Sequence, residues 1–277
     1  MQLTIYLKSS KLTIISSTIL LMCMGVCYFP VLKSLILLWS YNEDYSHGFF
    51  IPLITGYLIW TKRKHLSFNP SNIGFLIILL SLSIYVAAYY IETYTIIHLS
   101  LVLSFFGISL FIFGKETTKK IAFPLFFLIF MFPIPSSIYA KLTLPLQLLV
   151  TKLSISLIQL VGIPSYREGN IIYLPSHSLE VVNACSGLRS LIALLALGSI
   201  FAYLSFKSNI KRFLLIISVI PISIILNTLR VSISAILSYY WNISITGTLH
   251  ILLGLFIFIL ALIFLLCIKK LLICLSL

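Results

Sequence analysis

Three short segments of this 277-residue chain carry ionisable or nucleophilic side chains in otherwise apolar surroundings. The first, Glu180-Val-Val-Asn183-Ala-Cys185-Ser186-Gly187-Leu-Arg189, sets a thiol between a carboxylate and a guanidinium. The second is Asn227-Thr-Leu-Arg230, and the third, Gly247-Thr-Leu-His250, supplies an imidazole. A cysteine attacks as its thiolate, which a helix N-terminus, a nearby cation or a histidine partner favours. A histidine within reach takes the thiol proton and returns it to a leaving amine. An arginine, permanently charged and forked, can pair with a carboxylate or stabilise a developing oxyanion. The chemistry these types could perform together is acyl transfer through Cys185, with His250 as acid–base and Arg230 as the fixed charge.

Arg189, Ser186, Asn183, Asn227 and Glu180 stand beside them as supporting or substrate-binding candidates, Ser186-Gly187 allowing close backbone approach. Asp44-Tyr-Ser-His47-Gly-Phe-Phe-Ile-Pro52 offers Asp44 and His47 as a further polar wall, or as a helix cap and turn. Each residue also has a structural reading: Cys185 as a small buried apolar group, His250 as a hydrogen-bonded interfacial histidine, Arg189 and Arg230 as snorkelling cations. Cys23, Cys27, Cys267 and Cys274 lie in apolar runs without polar company, and His65, His98 and His177 receive no role. Five cysteines without a CxxC argue against a disulfide framework and a cysteine zinc site, so neither metal nor cofactor is expected.

The elements that must position these groups follow from composition. The chain is 60% hydrophobic and 9% charged, against roughly 45–50% and about 25% in a typical soluble domain. A soluble fold cannot hide so much apolar surface, and disordered chains have the opposite composition. The reading is an all-α polytopic membrane protein forming a single domain over 1–277. The net charge of +13 belongs to loops that orient helices; with RNP, helix-turn-helix and zinc-finger patterns absent, nucleic acid is set aside.

Apolar runs near the length that crosses about 30 Å of hydrocarbon predict eight spans, at 12–31, 48–61, 73–91, 95–114, 121–139, 185–206, 211–232 and 248–268. The first follows Lys8 and Lys11 as a signal peptide would. It lacks a small-x-small cleavage site, so it is expected to stay as an uncleaved anchor. Cations cluster at Lys8/Lys11, Lys62–Lys64, Lys115/Lys119/Lys120, Lys207/Lys211/Arg212 and Lys269/Lys270 and alternate with poorly charged loops. Both termini are therefore expected on the cytoplasmic side. Lys141, Gln147, Lys152 and Gln159 recur along 141–162 at intervals that suit an amphipathic helix on the outer surface. Beyond it, Ile171–Tyr173 and Leu179–Val182 predict a short hairpin or extended loop outside the membrane, on the outer face. Lys211 to Arg230 covers about 28 Å at 1.5 Å per residue, so Arg230 lies at the outer level where the helices bearing Cys185 and His250 begin.

At these motifs the sequence resembles the exosortase/archaeosortase family of membrane transpeptidases. The resemblance rests on Ala184-Cys185-Ser186-Gly187-Leu188-Arg189-Ser190, Asn227-Thr228-Leu229-Arg230-Val231, and His250 with Gly254. Ser46-His47-Gly48-Phe49-Phe50-Ile51-Pro52 and Arg167-Glu168-Gly169-Asn170 complete it, in the family's order. It implies a Cys185–Arg230–His250 site. It also implies membrane-anchored substrate proteins ending in a short motif like Pro-Glu-Pro, one apolar helix and a basic tail. A thioester on Cys185 would be resolved by an amine acceptor on a lipid or envelope carrier, or by water. His250, where archaeal relatives tend to carry arginine, implies the bacterial branch and the inner membrane; no soluble domain is expected after the last span. The residues themselves leave open a transporter or flippase for an anionic lipid or saccharide intermediate, although the paired broken repeats of transporters are missing. A scaffold for envelope assembly is a third reading.

Overall fold

A computed structural model describes residues 2–175, 178–181, 187–241 and 248–274, with side chains described for all of these except 2–17, 65, 248 and 250. The chain is an all-α multi-pass membrane protein. Its helices are α1 (Gln2–Tyr41), α2 (Phe50–Thr61), α3 (Asn72–Tyr90), α4 (Tyr94–Phe127), α5 (Ser136–Leu160), α6 (Leu188–Ser205), α7 (Asn209–Trp241) and α8 (Thr248–Cys274). Among the described residues, seven helical segments, in α1 and α3 to α8, are long and apolar enough to cross a membrane. Their outward faces are apolar, as surface against lipid must be: Ile251, Leu252, Leu255 and Phe256 of α8 are all exposed. Internal contacts divide the chain into two compact units, Met1–Ile134 and Pro135–Leu277.

In the first unit α1 runs past its expected end at residue 31 to Tyr41, until Asn42 breaks it. The Asn42 side chain accepts the Asp44 N–H at 2.9 Å and starts a 3-10 turn over Glu43–Phe49. α2 follows, only 12 residues long, with Thr55 Oγ1 donating to Pro124 O at 3.3 Å and Lys62 Nζ to Lys120 O. α4 is a hairpin of two helices. Gly114, at φ 77° and ψ 179°, interrupts it, and a β-carbon there would collide with the Asn69 carbonyl. Phe106 and Phe126 would stand about 30 Å apart on a straight helix, yet their ring centroids are 4.8 Å apart. Ser109 Oγ and Thr118 Oγ1 meet at 2.8 Å across the turn. The spans expected at 95–114 and 121–139 correspond to the two arms, the second beginning at Lys115 and closing in a 3-10 turn at Leu128–Met131. Buried hydroxyls inside the unit are paired, as a hydrocarbon setting requires: Tyr28 OH and Ser100 Oγ lie 2.9 Å apart.

The second unit is built around α7. Its 33 residues extend about 50 Å at 1.5 Å per residue, well beyond the roughly 30 Å of a bilayer core, and it continues nine residues past the end expected at 232. α6 runs antiparallel to it: Gly198 lies against Val219, and Arg212 Nε donates to Phe206 O at 2.8 Å. α8 is antiparallel as well, with Leu272 in a cluster with Leu215 and Gly254 opposite Arg230. α5 runs parallel to α7: Leu146 lies by Ser223 and Ile224, and Ser154 Oγ donates to Thr228 O at 3.2 Å. The amphipathic helix expected over 141–162 thus begins earlier, at Ser136, and is one of the seven long enough to cross. Lys141, Lys152 and Gln159 are exposed as anticipated, but Gln147 faces inward and is buried.

Beyond α5 the chain forms a three-stranded antiparallel sheet, β1 (Tyr166–Glu168), β2 (Ile171–Tyr173) and β3 (Ser178–Glu180), in the order β1-β2-β3. Tyr166 stacks on its register partner Tyr173 at 4.7 Å. Ile172, Leu174 and Val181 form a core with Val150 and Ile158 of α5 and Val231 and Ala235 of α7. The last three turns of α7 therefore serve as the floor of the sheet.

Candidate active site

The two antiparallel pairings bring the first turns of α6 and α8 to the same stretch of α7. α6 starts at Gly187, whose φ of 85° is left-handed backbone that an L side chain adopts only at a cost. Its O accepts the Leu191 N–H at 2.8 Å, the first bond of the helix. A β-carbon at Gly187 would stand 3.0 Å from Asn227 Nδ2, so its dihedral favours glycine and a side chain there would also press on the carboxamide. Asn227 is 2% exposed, and Arg230, three residues on, lies on the same face of α7.

Arg230 and Asn227 line a cavity of about 80 Å³ with Ser190 of α6, Ser223 of α7, and Gly254 and Phe258 of α8. Its lining mixes the polar Ser190, Ser223, Asn227 and Arg230 with apolar Leu226 and Ile257. His250 is in α8 one turn before Gly254. Arg189, in the first turn of α6, is half-buried. The structure thus groups Arg230, Asn227 and the start of α6, with the His250 backbone one turn from the cavity. Asn183, Cys185 and Ser186 lie outside the described residues. Ser223 was not singled out from sequence; the signal was its place four residues before Asn227 and seven before Arg230, a polar stripe along one helix face.

Glu180 ends β3 and is exposed. Its Oε1 accepts from Asn170 Nδ2 at 3.4 Å, and the same carboxamide donates to Val181 O at 3.3 Å. That engagement gives the Glu180 carboxylate a structural partner in the turn between β1 and β2.

Asp44 and His47 belong to the first unit. His47 Nε2 donates to Phe130 O at 3.2 Å, tying the two 3-10 turns together. Trp39 Nε1 donates to Met131 O at 2.9 Å, and its indole covers Gly48 so closely that a β-carbon there would overlap it. Burial pushes the His47 imidazole below the usual histidine range, against the opposing effect of the Phe130 and Asp44 backbone. Its sequence environment is therefore organised as a turn with a neutral, hydrogen-bonded histidine. Among the described residues no group of three or more His, Cys, Asp or Glu side chains could hold a metal.

A family model described as transmembrane exosortase (Exosortase_EpsH) matches residues 39–267, from the end of α1 into the last turns of α8. Neither a curated protein nor a solved structure matches. With the family model covering most of the chain and all three motif segments, this multi-pass membrane protein belongs to the transmembrane exosortase family, membrane-embedded enzymes of sorting-signal processing.

Proposed function

We propose that the chain is a cysteine protease-transpeptidase that cleaves the C-terminal sorting signal of exported proteins, with residues 1–277 acting as one catalytic domain. His250 removes the Cys185 proton. The thiolate attacks the peptide carbonyl, and Arg230 faces the oxyanion that develops. The C–N bond breaks as His250 returns the proton to the leaving amine, which departs with the apolar helix and basic tail. The thioester is then resolved by an amine of a lipid or envelope carrier, giving a new amide, or by water, giving a carboxylate. Arg189, Asn183, Ser186 and Asn227 support the nucleophile and the docked chain.

One observation carries this reading: the start of α6 packs on Asn227, and Gly254, early in α8, lines the same small cavity as Asn227 and Arg230 of α7. Covalent geometry adds to it, since Cys185 precedes Gly187 by two residues and cannot be more than about 7 Å from it, Cα to Cα. The alternating basic clusters support a bacterial inner-membrane protein with both termini in the cytoplasm and this edge at the outer face. Substitution tests the reading. Cys185→Ala should reach the membrane in normal amount while substrate accumulates with its signal intact; normal processing by that variant would refute it.

A further inference from the structure

Asn170 sits at the turn between β1 and β2 and reaches across to the end of β3. Its backbone O accepts the Val181 N–H at 2.9 Å, and its side-chain Nδ2 donates to Val181 O at 3.3 Å and to Glu180 Oε1 at 3.4 Å. Both backbone polar groups of Val181 are thus engaged by one residue. The Val181 side chain is fully buried in the core shared by the sheet, α5 and α7. Val181 is consequently among the firmly held points of the second unit, and it immediately precedes residues 182–186. The far end of that stretch is also held, because Gly187 starts α6 against Asn227.

We propose that Asn170 is a positioning residue for Cys185: its carboxamide clamps the chain at Val181, four residues before the thiol. The inference rests on Cys185 as the nucleophile. A short segment closed between two fixed ends has far fewer conformations than one tethered at a single end. Releasing Val181 O would also leave a buried carbonyl without its donor, so the strand end would shift to find another. Misplacement of a reacting group by about 1 Å can cost about 100-fold in rate, and the thiol would also move relative to the helix N-terminus and cations that favour its ionised form.

The test uses the full-length protein in membranes, with Cys23, Cys27, Cys267 and Cys274 replaced by serine so that Cys185 is the one thiol. The probe is N-ethylmaleimide, and the readouts are the rate of Cys185 alkylation, the amount of folded protein, and substrate processing. Asn170→Ala and the isosteric Asn170→Asp, which cannot donate when ionised, should each slow alkylation about 10-fold and processing about 10- to 100-fold at normal protein levels. Asn170→Gln, which keeps the donor, should recover most of both. Alkylation unchanged or accelerated in Asn170→Ala and Asn170→Asp would overturn the proposal, as would failure of both to accumulate as folded protein, which would make Asn170 a folding residue. Processing that persists in Cys185→Ala would instead remove the nucleophile reading on which the proposal stands, so the two failures are distinguishable.

Discussion

At the scale of single residues, the proposed mechanism needs one class of group that holds charge for chemistry, and the fold needs a second that holds the backbone. Under the proposed mechanism Arg230 is in the first class; it is half-buried and lines a cavity with the buried Asn227. Lysine would keep the charge but not the planar fork of donors. Loss of one oxyanion donor typically costs about 10²–10³-fold in kcat, so Arg230→Lys should reduce processing by about 100-fold or more while the protein still accumulates. His47 belongs to the second class. Its pKa is lowered in the folded chain, so the unfolded chain binds more protons as pH falls through the ordinary histidine value of about 6.5. Its contribution is therefore present above that pH and lost below it. Thermal unfolding in detergent should show the wild type losing more stability than His47→Gln between pH 7.5 and 5.5, a gap absent above pH 7.5; parallel pH curves would contradict the assignment. The motif segments, which the family match spans, were legible in the sequence as isolated polar groups in apolar runs. The contacts that give them their roles were not: the Trp39 indole over Gly48 and the Asn170 carboxamide on Val181 join positions that no local pattern connects.

At the scale of elements, sequence length and charge located the helices well where a breaker or a basic cluster bounded them. The α4 hairpin was readable as two spans because Gly114 and Lys115, Lys119 and Lys120 punctuate it. The C-terminal extension of α7 was not, because Val231–Trp241 mixes serine, β-branched and aromatic residues whose helix propensity is ordinary; what holds it helical is burial of Val231 and Ala235 under the sheet. β1 escaped notice because Arg167 and Glu168 carry charges and the strand is exposed; pairing with β2 and the Tyr166–Tyr173 stack define it. Two glycines make the element-level account testable. Gly114→Ala combines a left-handed dihedral with collision against Asn69 and should cost about 1–3 kcal/mol. Gly48→Ala must displace the Trp39 indole and should cost a similar ~1–3 kcal/mol. Both would register as lower unfolding temperatures, and a neutral effect at either position would show that the close packing there is not required.

At the scale of the whole molecule, composition alone specified a polytopic membrane protein, and the family match over residues 39–267 agrees with motifs spread along the chain. The orientation that accompanies the proposed function makes its own prediction. Single cysteines introduced at Glu116, in the basic turn of the α4 hairpin, and at Ser178, in β3, should react with a membrane-impermeant maleimide from opposite sides, Ser178 from outside and Glu116 only after the cells are opened. Labelling of both from one side would invalidate the assignment of the sheet to the outer face.

The most direct measurement is capture of the acyl-enzyme. Full-length protein incubated with a substrate carrying its sorting signal, then denatured without reductant, should yield a covalent adduct larger by the mass of the cleaved substrate. Hydroxylamine should release that adduct, as it does a thioester, and it should be missing from Cys185→Ala. Cleavage proceeding at the wild-type rate in Cys185→Ala, or an adduct that survives there, would contradict the assignment of Cys185 as the nucleophile.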